Sequence, residues 1–200
     1  MVAVTKYFGA DMVRRVVVAG MNDIGENRVP AILEKRAEVG DGPTWHFIGH
    51  LQRNKIRHVL PAIDVFHAGD SVRLLRALDA EVARQERPPL TTLIQVNVSG
   101  ETSKGGFLPD EFWAHLPELA DLSNLSIQGL MTMAPVTSDP EDVRSLFRDL
   151  REMRDEARTR GYLEGHELSM GMSGDFEVAV EEGATMVRIG RILYGGVAPD

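Results

Sequence analysis

Lys6 closes the apolar run Val2-Ala3-Val4-Thr5, so an amine stands where a strand ends. An amine attacks carbonyl carbon, and the far end of the chain supplies a complementary chemistry. Ser169-Met170-Gly171-Met172-Ser173-Gly174-Asp175 and Thr185-Met186-Val187-Arg188-Ile189-Gly190 each pass from an apolar stretch into a glycine-bearing turn. Such turns expose backbone N–H groups to an anion, and Ser173 adds a hydroxyl. Amine and anion-binding turns together point to a phosphorylated aldehyde held as a Schiff base on Lys6.

Strand and helix patterns alternate to position these groups. Apolar or period-two runs occur at Val2–Thr5, Asp23–Gly25, Trp45–Ile48, Val65–Ala68, Leu93–Val98, Ile127–Met133, Glu167–Met170 and Met186–Ile189. Between them lie helical patterns. The clearest is Glu141–Arg160, where Val143, Leu146, Phe147, Leu150 and Met153 share a face and the charged residues form a solvated one. Eight alternating units predict an α/β fold, a single (β/α)8 TIM barrel over residues 1–200. Asp23–Gly25 is short, and if read as loop it would leave an open doubly wound sheet instead.

In a (β/α)8 barrel the chemistry sits at the C-terminal strand ends, and phosphate is bound after strands 7 and 8. Ser173 would cap a helix over Asp175–Glu182 or face the anion, while Asp175 and Glu177 would compete with phosphate unless their side chains turn away. Gly190 would let backbone approach closely. A desolvated interior or Arg188 nearby would make Lys6 neutral enough to attack. Arg188, flanked by apolar residues, would form a structural ion pair or face a pyridine nitrogen, and a permanent cation there keeps that nitrogen unprotonated.

Composition narrows the classes. With 200 residues, 43 % of them hydrophobic, the chain can fill one core. No cysteine is present, which removes disulfides, thiolate metal sites and a cysteine nucleophile and makes the cytoplasm the default compartment. No apolar stretch approaches a membrane span, and a net charge of −8 opposes nucleic acid. His46 and His50 have metal-ligand spacing only on a helix, and a strand followed by Gly49 breaks it, so no metal is expected. Gly171-Met172-Ser173-Gly174-Asp175 departs from the hydrolase elbow at Asp175, and Lys104-Gly105-Gly106 lacks the flanks of a phosphate loop.

The chain resembles the YggS/PROSC family of pyridoxal phosphate homeostasis proteins, whose barrel is of the alanine racemase N-terminal-domain type. The resemblance is carried by Val4-Thr5-Lys6, Gly25-Glu26-Asn27, His46-Phe47-Ile48-Gly49-His50-Leu51-Gln52-Arg53-Asn54-Lys55 and Gly129-Leu130-Met131-Thr132-Met133, together with the two C-terminal segments quoted above. It implies pyridoxal 5'-phosphate (PLP) as cofactor, with Lys6 as Schiff-base lysine, Ser173 and Gly190 at the phosphate and Arg188 at the pyridine nitrogen. Asn27, His46, Asn54 and Met131 are implied at the same mouth. The implied role is intracellular PLP homeostasis without substantial catalysis, with cofactor-accepting apo-enzymes as partners and a monomer or weak dimer; the alternative is a PLP-dependent amino-acid racemase. Two departures are expected. Family members carry a helix before the lysine strand, where this sequence has only Met1 to Thr5, and racemases add a second domain with a catalytic tyrosine, whereas this sequence ends soon after Tyr194-Gly195-Gly196.

Overall fold

In the computed structural model, which describes residues 1–101 and 104–195, eight parallel strands close into a barrel in chain order. They are β1 (Val2–Val4), β2 (Asp23–Glu26), β3 (Thr44–Phe47), β4 (Val65–Gly69), β5 (Leu90–Gln95), β6 (Leu125–Met131), β7 (Glu167–Met172) and β8 (Met186–Ile189). Asp23–Glu26 is therefore a strand, pairing with both neighbours, and the open-sheet alternative falls. β5 and β6 begin two or three residues earlier than the apolar runs predict. Thr91, Thr92 and Ser126 lie outside the predicted runs, yet they hold ladder positions in the β5–β6 pairing. The seam is β8 against β1, with Val2 opposite Arg188 and Ala3 opposite Ile189.

Helices α1 (Ala10–Val18), α2 (Val29–Val39), α3 (Ile56–Val59), α4 (Val72–Arg84), α5 (Pro109–Ala120), α6 (Arg144–Thr159) and α7 (Phe176–Glu181) follow the strands. Their apolar faces and the outward residues of the strands form the main core, with Trp45, Phe47, Phe66, Phe112 and Phe147 fully buried. Ser71 caps α4 by accepting from the Leu74 N–H, and Gly40 ends α2 at φ +86°, a conformation that costs a side-chain-bearing residue energy. Charges on α6 are less solvated than expected. Arg144, Arg148 and Arg151 all donate to buried Glu182 at 3.0–3.3 Å, clamping the end of α7 onto α6.

Between β1, β2 and α2 lies a second buried charge that the hydrophobic pattern does not reveal. Lys35, on α2, forms an ion pair with Glu26 and donates to the Thr5 carbonyl at 2.8 Å. The Thr5 hydroxyl donates to Glu26 Oε1 at 2.6 Å. All three residues are at most 5 % exposed. Burying a charge is tolerable only when it is paired and hydrogen-bonded. The cluster fixes the backbone immediately before Lys6.

Lys35→Met should therefore destabilise the fold by about 3–5 kcal/mol in urea unfolding, because Glu26 is left buried without its cation. Lys35→Met combined with Glu26→Gln should cost less than Lys35→Met alone; a strictly additive pair would show that the two charges do not depend on one another.

Candidate functional site

The C-terminal ends of all eight strands surround one cavity of about 920 Å³. Lys6 lies just past β1, Asn27 just past β2, and Ser173, Gly174, Arg188 and Gly190 come from β7, β8 and their loops. The seam makes this possible, because β1 and β8 are neighbours although they lie at opposite ends of the sequence.

Each group has a distinct setting. Lys6 is exposed on the rim, with Nζ 4.8 Å from the centre of the Tyr7 ring. The desolvated setting expected for it is therefore not formed. Ser173 does not cap α7; its Oγ accepts from the Gly190 N–H at 3.3 Å and so ties the two glycine turns together. Asp175 Oδ1 accepts from the Met172 N–H at 2.6 Å, yet the residue still lines the cavity, where its charge opposes a phosphate, and Glu177 is exposed. The bend that sets this loop falls at Gly171, with φ +88°, where the β7–β8 register shifts and an added Cβ would lie 2.6 Å from that of Ala179.

Arg188 is 5 % exposed and donates to Ser169 Oγ at 2.7 Å and to the Thr132 carbonyl at 2.8 Å. Among the described residues it has no ion-pair partner, so the structural ion pair weighed above is not formed. Burial pulls its guanidinium down to about 10, against the field of Asp175, and it remains charged at neutral pH.

Three of the expected residues lie away from the cavity wall. His46 sits inside the barrel, bonded to His67 and Asp23. Met131 is fully buried in the core, and the neighbouring position on the wall is Met133. Asn54 is exposed in an adjoining groove with Arg53 and Arg73. His50 pairs with Asp70 at 2.8 Å and does not converge with His46. Arg191 and Tyr194 also line the cavity and were missed by the motif reading. Arg191 directly follows Gly190, and a cation beside an anion-binding glycine was the available signal; for Tyr194, whose phenol burial pushes up in pKa, the sequence offered none.

Two observations test whether the cavity suits a phosphorylated pyridine aldehyde. A Cβ added at Gly174 would meet nothing within 4 Å and one at Gly190 only Val4 at 3.6 Å, so open space stands over both turns. Asn27 Oδ1 is buried without a hydrogen-bond partner in a residue that lines the cavity. Both fit such a group.

Comparison with known proteins gives a consistent outcome. Residues 1–198 match the family model of the alanine racemase N-terminal domain. The chain is 41% identical over 186 residues to the pyridoxal phosphate homeostasis protein of Aquifex aeolicus, covering 92% of this chain and 81% of that one. With the protein of that name from Homo sapiens the identity is 36% over 207 residues, covering 98% and 75%. PipY of Synechococcus elongatus, solved with PLP bound, superposes at a TM-score of 0.90 and 35% identity, over 98% of this chain and 92% of that chain. An alanine racemase of Clostridium difficile superposes at 0.83 with 18% identity, covering all of this chain and 53% of its own, which is likeness of fold.

The buried histidines make stability pH-dependent. Burial lowers His46 below 6.5 despite the opposing hydrogen bond to Asp23, and lowers His67 further, with the charges of His46 and Arg188 adding. In the unfolded chain both rings take up protons near pH 6.5; in the folded protein they do so only at lower pH. The unfolded state binds more protons in that interval, so stability falls as pH drops below about 6.5, by up to about 1.4 kcal/mol per pH unit per ring. Urea midpoints between pH 7.5 and 5.5 should show this slope, and His67→Gln should flatten it; an unchanged slope would place its origin elsewhere.

Proposed function

We propose that this chain, which belongs to the family of pyridoxal phosphate homeostasis proteins and carries the alanine racemase N-terminal domain, binds PLP covalently on Lys6 and serves intracellular PLP homeostasis by holding and releasing it. The single observation that carries this is the convergence of Lys6, Ser173, Gly190 and Arg188, from both ends of the sequence, on one cavity. When bound, PLP supplies an aldehyde that condenses with an amine and a pyridine ring able to accept electrons.

The chain's own residues divide the work. Ser173, with the open turns at Gly174 and Gly190, would hold the phosphate, and Arg191 adds a positive charge beside them. Arg188 only donates, so a ring nitrogen above it accepts and keeps no proton. Asn27 Oδ1 offers an acceptor to a hydroxyl on the ligand. Lys6 stands on the open rim where water and other amines reach it, an arrangement suited to exchange and transfer to cofactor-accepting apo-enzymes. His46, Asn54 and Met131, expected at the mouth from the family resemblance, would act on the cofactor only through neighbours.

The reading extends to slow chemistry. A ring nitrogen without a proton draws electrons weakly, so racemisation gains little from this floor. The relatives are named for homeostasis, consistent with that limit. Among the described residues, no helix is long and apolar enough to cross a membrane.

Three measurements test the proposal. After borohydride reduction of the PLP-loaded protein, mass spectrometry should find the adduct on Lys6, and Lys6→Ala should abolish it while leaving weaker binding; an adduct mainly on Lys55 or Lys104 sinks the assignment. Ser173→Ala should weaken PLP binding roughly ten- to a hundredfold, from a lost charge-assisted hydrogen bond, with little effect on unphosphorylated pyridoxal. Chiral chromatography after long incubation with alanine should show almost no racemisation; turnover near ~1 per second, the low end of ordinary enzymes, would favour the racemase.

A further inference from the structure

Beneath the cavity, a line of polar side chains runs through the barrel from its opposite face. Asp23 begins β2 on that face, its side chain 46% exposed. His46 Nε2 lies 3.2 Å from Asp23 Oδ1, and His46 Nδ1 lies 2.8 Å from His67 Nε2. His67 Nδ1 lies 2.9 Å from Ser169 Oγ, which accepts from Arg188. Because β4 and β7 are not neighbours in the barrel, the contact between His67 and Ser169 crosses the lumen. The middle residues His46, His67 and Ser169 are at most 2 % exposed.

The two ends fix the direction of every hydrogen bond between them. A guanidinium only donates and a carboxylate only accepts. Ser169 therefore receives from Arg188 and passes its own proton to His67 Nδ1. His67 Nε2–H then donates to His46 Nδ1, and His46 Nε2–H donates to Asp23. This assignment holds for two neutral imidazoles, the state that burial favours for both. Bonds aligned this way polarise one another.

We infer that Asp23, His46, His67 and Ser169 are positioning residues for the cofactor site, forming a one-way hydrogen-bond chain that fixes the Arg188 guanidinium at the cavity floor. The inference rests on the reading that Arg188 faces the ring of bound PLP. The chain explains how a buried cation persists without an ion-pair partner among the described residues, Asp175 reaching it only through its field. An adjacent carboxylate would occupy the planar fork of the guanidinium, as bidentate pairs do. Here one terminal nitrogen is held by Ser169 and the other by the Thr132 carbonyl, and the remaining N–H donors stay available to a ligand. The negative end of the chain is moved away to Asp23, on the far face.

Long-range proton–nitrogen NMR of the cofactor-free protein near neutral pH reads the tautomers directly. Both His46 and His67 should carry their proton on Nε2, and a proton on Nδ1 of either ring would overturn the chain. PLP titration followed by visible absorption then tests its role. Ser169→Ala should weaken PLP roughly tenfold and shift the absorption maximum of the bound cofactor, Ser169→Thr should restore both, and Asp23→Ala should act in the same direction by about threefold, in keeping with the loss of single hydrogen bonds. A purely structural role would lower the melting temperature without moving the spectrum. Folded Asp23→Ala with wild-type affinity and spectrum would overturn the positioning role even if Ser169→Ala does not fold. Failure of the wild-type protein to bind PLP would instead overturn the carrier reading, while the tautomers still decide the chain.

Discussion

Closure of the sheet between β1 and β8 is the constraint on which everything else depends. Pairing Val2 with Arg188 and Ala3 with Ile189 brings the first and last strands side by side. Parallel strands place all their C-terminal ends on one face, so the residues just past β1 and just past β8 must meet there. Lys6 and Gly190 are neighbours for that reason alone. Without the seam the amine and the glycine turns would sit at opposite edges of an open sheet.

A closed barrel also creates a lumen that must be filled, and here part of the filling is polar. The chain solves the problem of buried charge in two ways. Outside the strands, Lys35 and Glu26 neutralise each other at close range, with Thr5 supplying further hydrogen bonds. Inside, Arg188 is satisfied by a serine hydroxyl and a carbonyl, and its balancing carboxylate Asp23 is reached only through two imidazoles. The first arrangement is self-contained and anchors backbone. The second leaves a cation without a direct ion-pair partner facing the cavity, with Asp175 on the same wall, and its free N–H donors suit an electron-rich group.

The fold and the rim of the site were legible because they rest on local signals. Strand ends, glycine turns and the amine after an apolar run can each be read within a few residues, and Lys6, Ser173, Arg188 and Gly190, singled out that way, line one cavity. What could not be read depends on which way a side chain points and what it meets across the barrel. His46 lies in a motif-rich segment, yet its partners His67 and Ser169 come from β4 and β7. Lys35 sits in a helix of modest amphipathicity, and nothing in its neighbourhood marks it as buried. Met131 and Met133 differ by one pleat period, and because β6 ends at Met131 the first is buried while the second, past the strand end, reaches the wall. Arg144, Arg148 and Arg151 looked like solvent-facing charge because their acceptor, Glu182, lies beyond the next strand.

The site that results is graded from a rigid floor to an open rim. Arg188 is nearly inaccessible and held at both terminal nitrogens, whereas Lys6 is exposed with its Nζ 4.8 Å from the centre of the Tyr7 ring. In the proposed carrier, preorganisation would lie at the non-covalent end of the ligand, and the covalent end would be left free to exchange. An enzyme acting on amino acids gains from the reverse, because groups at the reacting carbon must be held near their transition-state positions and screened from water. A carrier needs tight recognition of ring and phosphate together with a bond that solvent and competing amines can reach. The distribution of burial between Arg188 and Lys6 matches that second demand.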